Sequence, residues 1–398
     1  MDLRMNTGKL SGNINVIPSK SQAHRLLICA AFADKPTVLY CTATNRDIEA
    51  TAACLNALGA NIQHTAEGYV INPVENPARK AVLPCRDSGS TLRFLLPVVG
   101  ALGIDAFFQM EGRLAQRPLS PLWEEMERMG CKLSFPERNM LHCEGQLKAG
   151  DYTIDGSVSS QFISGLLFAA ALIPGENRIH VTGKIESRPY IDMTRNAMKL
   201  FGRSSENFTV YGGIPFSSPG ELCVEGDWSN GAFFLAANAL GSEIAIENLS
   251  TASLQGDKAC AELFLQLNEH CTISAADIPD LVPILSVVAA CNQGAVFTDI
   301  QRLRLKESDR VASVISMLER LGGRAESTST TLTVHGSGLT GGTVDSANDH
   351  RIAMAAAIAA TICRNPVVIL GAECVEKSYP QFFEEYRRLG GNYEQYIR

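Results

Sequence analysis

Charged residues that alternate in sign occupy one short stretch of the chain, namely Lys306, Glu307, Asp309 and Arg310. Apolar side chains follow at steps of three and four, a period that predicts a helix. The charges would then lie at a helix N-terminus, where free N–H groups and the helix dipole favour anions. Ser308 is the expected N-cap of this helix. Such a turn can offer anion binding and proton transfer; the alternative is a charged cap held by surface ion pairs.

Further cations stand at the predicted starts of other helices. Lys20 and Arg25 open one helix, and Arg351 opens another. Where several cations meet several helix N-termini, they form strong anion sites together with the free N–H groups. A charge-assisted hydrogen bond contributes about 1.5–3 kcal/mol, so a few of them can hold a phosphate. The predicted turns and the segments that follow them also carry Gly89, Arg93, Arg117, Ser159, Ser160, Gln161 and Lys377.

Two carboxylates, Asp280 and Glu307, stand beside such cations at predicted helix starts. General acid–base catalysis requires groups of this kind to be fixed in place, with pKa values shifted by their neighbours. Gly89 fits a position where the backbone approaches a ligand closely, because glycine has no Cβ. For any single residue, a salt bridge or a helix cap is the alternative interpretation. That alternative weakens because all the predicted turns carry such residues.

Six segments share one design, a short polar turn followed by an apolar, Ala-rich helix. They begin at residues 18, 87, 156, 226, 277 and 348. The spacing is roughly 70 residues, except for one gap of about 51, and such self-similarity indicates one repeated structural unit with about two helices and several strands. A helix that is apolar nearly all round must be buried. We therefore predict two domains with three buried helices each, the alternative being an ordinary α/β protein whose spacing is coincidental.

Segments with the composition of strands alternate with these helices, for example residues 68–72 and 331–335. The stretch from Gly336 to Gly341 fits the letters of G-x-G-x-x-G, but it leads into Gly342-Thr-Val-Asp. The dinucleotide-binding fingerprint requires a helix at that point. We therefore predict a loop between two strands rather than a dinucleotide site.

Composition argues against several classes of function. The chain has 398 residues and a net charge of −7, which does not suit a broad nucleic-acid surface. The N-terminal residues do not resemble a secretory signal, and the apolar runs are shorter than the roughly 20 residues of a membrane span. Twelve cysteines without a C-x-x-C pair argue against a metal site or a disulfide framework. We expect a cytoplasmic protein that binds neither nucleic acid nor membrane.

Nine short motifs occur in order across almost the whole chain. They are Ser19-Lys20-Ser21 with Arg25, Ser88-Gly89-Ser90-Thr91 with Arg93, Gln116-Arg117-Pro118-Leu119, Ser157 to Phe162, Ser187 to Asp192, Pro279-Asp280, Lys306 to Arg310, Asp349-His350-Arg351 and Lys377 to Pro380. Taken together, these motifs resemble those of the 5-enolpyruvylshikimate-3-phosphate (EPSP) synthase family of enolpyruvyl transferases. Glyphosate, a mimic of phosphoenolpyruvate, inhibits members of that family.

The resemblance implies an α/β (α+β) fold of two similar domains. Each domain would contain three βαβαββ-type repeats with buried helices covered by sheets, and the active site would lie in the interdomain cleft. The chain would cross between the domains twice. We expect one domain to comprise residues 1–18 and 225–398, and the other residues 19–224.

The resemblance also implies a reaction. The enolpyruvyl group of phosphoenolpyruvate would pass to the 5-hydroxyl of shikimate 3-phosphate, by addition and elimination through a tetrahedral intermediate, with release of phosphate. This step belongs to chorismate and aromatic amino acid biosynthesis. The residues implied for shikimate 3-phosphate are Lys20, Ser21, Arg25, Ser159, Ser160, Gln161, Ser187, Tyr190, Asp280 and Lys306. Those implied for phosphoenolpyruvate are Lys20, Gly89, Arg117, Gln161, Arg310, Arg351 and Lys377.

Four residues receive catalytic roles from the resemblance. Asp280 would act as base toward the shikimate hydroxyl, while Glu307 and Lys377 would exchange a proton with the methylene carbon. Lys20 would stabilise negative charge on the phosphate side. We expect no cofactor and no metal, and we expect the enzyme to be a monomer.

Three other functions remain as alternatives. The sister transferase moves enolpyruvyl to UDP-N-acetylglucosamine on the same fold, but it lacks the Ser-Ser-Gln and Ser-Arg-Pro-Tyr motifs and usually has a reactive cysteine in a mobile loop. No cysteine lies in the loop around Arg117. A non-catalytic anion-binding module would be favoured by loss of the four catalytic residues, and all four are present. An RNA-end-processing enzyme on related repeats does not suit the net charge.

Overall fold

The computed structural model describes residues 1–397. The α-helices are α1 (Lys20–Ala31), α2 (Arg46–Ala57), α3 (Gly89–Leu102), α4 (Leu122–Arg128), α5 (Ser160–Leu172), α6 (Arg188–Leu200), α7 (Trp228–Ala239), α8 (Cys260–Gln266), α9 (Val282–Cys291), α10 (Arg310–Arg320), α11 (His350–Ala359) and α12 (Phe382–Arg388). The β-strands are β1 (Leu3–Met5), β2 (Ser11–Ile14), β3 (Thr37–Tyr40), β4 (Asn61–Thr65), β5 (Gly68–Asn72), β6 (Lys80–Arg86), β7 (Asp105–Met110), β8 (Cys131–Glu137), β9 (Met140–Gly145), β10 (Asp151–Asp155), β11 (Gly175–Thr182), β12 (Thr209–Gly212), β13 (Glu221–Cys223), β14 (Glu243–Ile246), β15 (Cys271–Ser274), β16 (Gly294–Thr298), β17 (Arg324–Ser327), β18 (Thr331–His335), β19 (Gly342–Asp345), β20 (Val367–Leu370) and β21 (Tyr393–Gln395).

The six repeated segments form α1, α3, α5, α7, α9 and α11, so the predicted helices are confirmed. Polar residues cap five of them: Ser19, Ser88, Ser159, Asp227 and Asp349 each accept a backbone N–H from the first turn. These side chains satisfy N–H groups that have no partner within the helix. All ten residues of α11 are buried, as expected of a helix that is apolar nearly all round.

Four of the sheets share one strand order, which follows from a recurrent order of helices and strands. In β6-α3-β7-α4-β8-β9, the sheet has the order β6-β7-β9-β8, with the first two strands parallel and the other pairs antiparallel. A parallel pair needs a long crossover, which the buried helix supplies. The same strand order recurs in β13-β3-β5-β4, β15-β16-β18-β17 and β19-β20-β1-β21. Two shorter sheets, β10-β11-β12 and β14-β2, retain the parallel pair. The predicted βαβαββ-type repeat is confirmed.

Two compact units divide the chain. One comprises Pro18–Glu225 and contains α1 to α6, and the other combines Met1–Ile17 with Gly226–Arg398 and contains α7 to α12. Within the first unit, α3 packs against α5 and against strands of its own repeat. Within the second, α9 and α11 pack against each other and against α7. We propose that these two units are the domains, whose expected limits at residues 18 and 225 stay a prediction.

The predicted helix after the charged stretch is α10, in which Val311, Val314 and Leu318 are buried while Ile315 is half-buried. The prediction that Ser308 is the N-cap of α10 was wrong. Asp309 caps the helix instead, because its Oδ1 accepts the backbone N–H of Ala312 at 3.2 Å. The Ser308 hydroxyl donates to Asp349 Oδ2 at 3.1 Å and accepts from the Ser313 hydroxyl at 3.0 Å.

The segment from Gly336 to Gly341 is a loop between β18 and β19, as predicted, and no helix follows it directly. The strands expected at residues 68–72 and 331–335 are β5 and β18. Throughout residues 1–397, the helices are all too short or too polar to cross a membrane.

Candidate active site

Arg310, the first residue of α10, lies at the centre of a buried ionic cluster. Its guanidinium is fully buried and donates to Asp349 Oδ2 at 3.0 Å, to Asp280 Oδ1 at 2.6 Å and to Glu307 Oε2 at 2.7 Å. A charge of this kind is stable in a protein interior only when it is paired and hydrogen-bonded. Burial alone would lower the pKa of Arg310, but the three carboxylates raise it above the ordinary range. Arg310 therefore stays charged and fixes the positions of all three acids.

Asp280 precedes α9 and is surrounded by positive charge. Besides Arg310, Arg351 Nη2 lies 3.4 Å from its Oδ2, and Lys306 Nζ lies 3.7 Å from its Oδ1. Burial would raise the pKa of Asp280, but Arg351, Lys306 and Arg310 outweigh burial and hold that pKa well below its usual range. Asp280 is thus an ionised carboxylate at neutral pH, the form that a proton acceptor requires.

For Lys306, burial outweighs the opposite charge of Asp280 in setting the pKa. Burial lowers its pKa, Asp280 raises it, and Arg310 and Arg302 lower it further, so that its pKa is about 8. An ammonium group with a pKa of this size can lose its proton close to physiological pH. The local environment therefore makes Lys306 a cation whose charge depends on pH.

Glu307 connects Arg310 to Lys377. Its Oε2 accepts from Arg310, while its Oε1 lies 3.9 Å from Lys377 Nζ. Lys377 is buried, which favours short-range pairing over hydration. The structure therefore brings together the four predicted cations and both predicted proton-transfer acids of this unit. They are Lys306, Arg310, Arg351, Lys377, Asp280 and Glu307.

Lys20 opens α1 in the other unit and pairs with Asp47, its Nζ lying 3.0 Å from Asp47 Oδ2. Asp47 lies in the first turn of α2, where the helix dipole favours a negative charge. Its carboxylate thereby holds the Lys20 ammonium at the start of α1. Sequence reasoning did not identify Asp47, because its position in the chain carries no signal that it would meet Lys20.

Arg25 is buried and held by three hydrogen bonds. Its guanidinium donates to the Ser21 carbonyl at 2.5 Å, the Tyr190 carbonyl at 2.8 Å and Thr194 Oγ1 at 2.8 Å. The structure thus brings Arg25 together with Ser21 and Tyr190, as predicted, through their backbone carbonyls. Thr194 is an additional partner that the sequence did not reveal. Nearby, Ser187 precedes α6 with φ of +55°, an uncommon conformation for a residue other than glycine.

Gly89, the first residue of α3, lies against two arginines. A Cβ atom there would be 2.5 Å from Arg117 Nη1 and 2.8 Å from Arg93 Nη1, so glycine is required for this close approach. Arg93 Nη1 also donates to Gln161 Oε1 at 3.2 Å. Gln161 Nε2 in turn donates to Ser90 at 3.0 Å. These contacts bring Gly89, Arg117 and Gln161 together, as predicted.

A hydrogen-bond donor next to Gly89 remains unused within residues 1–397. The Nε of Arg117 is buried without a hydrogen-bond partner among the residues that the structure describes. Ser159 caps α5, and Ser160 and Gln161 follow in its first turn. A helix N-terminus next to arginine side chains favours phosphate or carboxylate. The arrangement can therefore bind an anion.

Asp349 belongs to the ionic cluster around Arg310, although sequence reasoning gave it no role. It belongs to the Asp349-His350-Arg351 motif, but its contacts with Ser308 and Arg310 depend on the fold. Its Oδ1 accepts the backbone N–H of Arg351 at 3.0 Å, and its Oδ2 accepts from Arg310. Asp349 therefore links α10 to α11. Among residues 1–397, the His, Cys, Asp and Glu side chains form no group that could hold a metal ion.

Repeated strand–helix units, with cations and carboxylates collected at helix N-termini, define an α/β protein built to bind small anions. Comparison with known proteins identifies its family. The chain belongs to the EPSP synthase family, because the family profile, EPSP synthase (3-phosphoshikimate 1-carboxyvinyltransferase), matches residues 5–386.

Relatives named 3-phosphoshikimate 1-carboxyvinyltransferase match over nearly their full length. One from Clostridium beijerinckii is 37% identical, with 99% of each chain covered. Another from Clostridium perfringens is 38% identical and covers 96% of this chain and 97% of the relative. A solved structure of EPSP synthase from Acinetobacter baumannii has a TM-score of 0.81 at 23% identity, covering 99% of this chain and 100% of that one. This structural similarity supports the two-domain enolpyruvyl transferase fold.

Proposed function

We propose that this protein transfers the enolpyruvyl group of phosphoenolpyruvate to the 5-hydroxyl of shikimate 3-phosphate and releases phosphate. The observation that carries the proposal is the cluster around Arg310. There, two carboxylates suited to proton transfer lie among four cations suited to anionic substrates. Membership of the EPSP synthase family supports the same reaction.

Asp280 is the proposed base toward the 5-hydroxyl. It is ionised at neutral pH, but the cations that lower its pKa also make it a weak base. A substrate anion that attracted Arg351 and Lys306 would weaken those interactions and raise the basicity of Asp280. Binding of the anion and activation of the base would thus be coupled through the same two cations.

Glu307 and Lys377 are the proposed proton partners of the phosphoenolpyruvate methylene. Their side chains lie 3.9 Å apart, close enough for one to influence the charge of the other. In the addition step, a proton goes to the methylene carbon and the hydroxyl oxygen bonds to the adjacent carbon. In the elimination step, the new methyl group loses a proton and the C–O bond to phosphate breaks. The double bond is thereby restored and phosphate leaves.

Binding of the substrates is proposed for the predicted residues of both units. Shikimate 3-phosphate would contact Lys20, Ser21, Arg25, Ser159, Ser160, Gln161, Ser187, Tyr190, Asp280 and Lys306. Phosphoenolpyruvate would contact Lys20, Gly89, Arg117, Gln161, Arg310, Arg351 and Lys377. Support comes from the buried Nε of Arg117 and from the arginine donors, which match phosphate and carboxylate geometry. Lys20 would stabilise the phosphate charge.

The test is phosphate release by the purified protein given phosphoenolpyruvate and shikimate 3-phosphate. We expect release that requires both compounds and that is lost in Lys20→Ala. Release with UDP-N-acetylglucosamine in place of shikimate 3-phosphate would assign the sister activity instead. A folded protein that releases no phosphate with either acceptor would contradict the proposal and favour an anion-binding module.

Two properties of the protein stay predictions. We propose that it acts as a monomer, which light scattering of the purified protein tests. We also propose that it resides in the cytoplasm, which cell fractionation tests.

A further inference from the structure

A buried acid, Asp257, lies next to the cluster around Arg310 but has no role in the mechanism above. It occupies the short turn before α8 and is 1% exposed. Its Oδ2 accepts a hydrogen bond from the Ser229 hydroxyl, in the first turn of α7. Burying a carboxylate costs free energy unless hydrogen bonds and charges compensate it, so the surroundings of Asp257 must supply that compensation.

The same turn holds the beginning of α7 through a second side chain. Gln255 Oε1 accepts the backbone N–H of Trp228 at 3.0 Å, and Gln255 Nε2 donates to the Gly226 carbonyl at 2.9 Å. Together with the bond from Ser229 to Asp257, these contacts fix the backbone from Gly226 to Ser229. The first turn of α7 therefore has little freedom to move relative to residues 255–257.

Ser229 connects Asp257 to the proposed active site. Its backbone carbonyl accepts a hydrogen bond from Arg351 Nη1 at 3.3 Å, while Arg351 Nη2 lies 3.4 Å from Asp280 Oδ2. A continuous path thus runs from Asp257 through Ser229 and Arg351 to Asp280. Each step is a hydrogen bond or an ion pair between buried or partly buried groups.

We propose that Asp257 is a positioning residue for the transfer reaction. It fixes Ser229, whose carbonyl orients the guanidinium of Arg351 toward the proposed base Asp280, and its own charge controls how strongly Arg351 attracts an anionic substrate. This inference rests on the proposed function, because Arg351 and Asp280 receive their roles there.

The charges that face Asp257 come from several elements. Burial and then Asp280 raise its pKa, Arg351 and the Ser229 hydroxyl oppose the rise, and Asp227 adds to it, giving a pKa of about 7. Cys260 on α8 is also close, and burial followed by the charge of Asp257 raises its pKa. Asp257 therefore gains a negative charge as the pH rises through about 7, and it then competes with phosphoenolpyruvate for Arg351.

The experiment measures KM for phosphoenolpyruvate against pH in four proteins. In wild type, we expect KM to rise severalfold above pH 7, because the new negative charge on Asp257 weakens the attraction of Arg351 for the substrate anion. Asp257→Asn keeps an oxygen for Ser229 but cannot ionise, so this rise should disappear. Ser229→Ala removes the donor that lowers the pKa of Asp257, so the rise should move to higher pH. Glu262→Gln, an exposed charge change on α8, should behave as wild type.

The results separate two kinds of failure. A folded wild type without phosphate release overturns the proposed function and this inference with it. An active wild type whose pH dependence of KM persists in Asp257→Asn overturns the inference alone. If Asp257→Asn does not fold, Ser229→Ala is the deciding variant. In that variant, a rise in KM at the same pH as in wild type would contradict the path through Ser229. A residue with a merely structural role would change the melting temperature without moving the pH of this rise.

Discussion

Arg310 donates a 2.6 Å hydrogen bond to Asp280, and no part of its side chain is exposed. The residue expected to bind phosphoenolpyruvate and the residue expected to act as base are therefore direct partners. Since the same guanidinium also binds Glu307 and Asp349, a change at any of these acids alters the environment of the others. Mutations here must be interpreted as changes to a network.

Replacing Asp280 by Asn should lower kcat about 10²- to 10⁴-fold, the usual contribution of general acid–base catalysis. KM for phosphoenolpyruvate should not rise, because Arg351 and Lys306 lose a competing negative charge. Steady-state kinetics with each substrate varied in turn measures both quantities. Asp309→Asn is the matched control, since Asn also serves as an N-cap and Asp309 does not contact Asp280. A control as slow as Asp280→Asn would contradict the assignment.

The charge of Lys306 predicts a second pH effect. Because its pKa is about 8, Lys306 is an ammonium below that pH and becomes neutral above it. KM for shikimate 3-phosphate should therefore rise above pH 8, where the cation is lost. Lys306→Arg keeps the charge in this range, so its KM should be independent of pH there. An unchanged pH dependence in that variant would rule out Lys306 as the source.

Gly89→Ala should impair binding without unfolding the protein. The added Cβ would meet the tips of Arg117 and Arg93, which are flexible and can move away. Losing one charge-assisted hydrogen bond of about 1.5–3 kcal/mol should raise KM for phosphoenolpyruvate about tenfold or more. The melting temperature should change little.

A control variant lies in the same helix. In Gly100→Ala, the Cβ would lie 2.8 Å from Cys131 Sγ and 3.0 Å from Leu147 Cγ, inside a packed core. Overpacking of this kind costs about 1–3 kcal/mol, so its melting temperature should fall while KM stays near that of wild type. If Gly89→Ala lowered the melting temperature as much, its effect on KM would no longer report on Arg117.

His24 should make the protein sensitive to acid. Its Nδ1 lies 2.7 Å from Thr51 Oγ1. Burial lowers its pKa from 6.5 to about 3, with Asp47 opposing the shift and Lys20 and Arg25 adding to it. Between these values the unfolded chain binds a proton that the folded chain does not. The free energy of unfolding should therefore fall by up to about 1.4 kcal/mol per pH unit below 6.5. Urea unfolding at several pH values, compared with His24→Asn, measures this slope; an equal slope in both proteins would contradict it.

Sequence patterns predicted the repeated helices and several strands because both depend on local order. The polar turn and apolar run that begin at Ser19, Ser88 and Ser159 are each contained within a few residues, so periodicity identifies them. The cap of α10 was predicted wrongly because Ser308 and Asp309 both suit an N-cap. The distant carboxylate of Asp349, which binds the Ser308 hydroxyl, favours Asp309 as the cap.

Partners that come from distant segments were not predictable in this way. Asp47 contacts Lys20 across 27 positions of the chain, and Asp257 contacts Ser229 across 28 positions. Thr194 contacts Arg25 from a different repeat. Nothing in the spacing of Lys20 and Asp47 indicates that their side chains meet. Likewise, the motif containing Asp349 was visible, but its bond to Arg310 requires α10 and α11 to lie side by side.

The position of β1 has a consequence for the newly synthesised protein. This strand lies between β20 and β21, and Arg4 is paired with both Val368 and Glu394. During translation, β1 is therefore made long before the two strands with which it pairs. The segment Pro18–Glu225 is continuous in sequence and can fold while that strand is still without its neighbours. Until β20 and β21 are made, both edges of β1 lack partners, and an unpaired strand edge can pair with another chain.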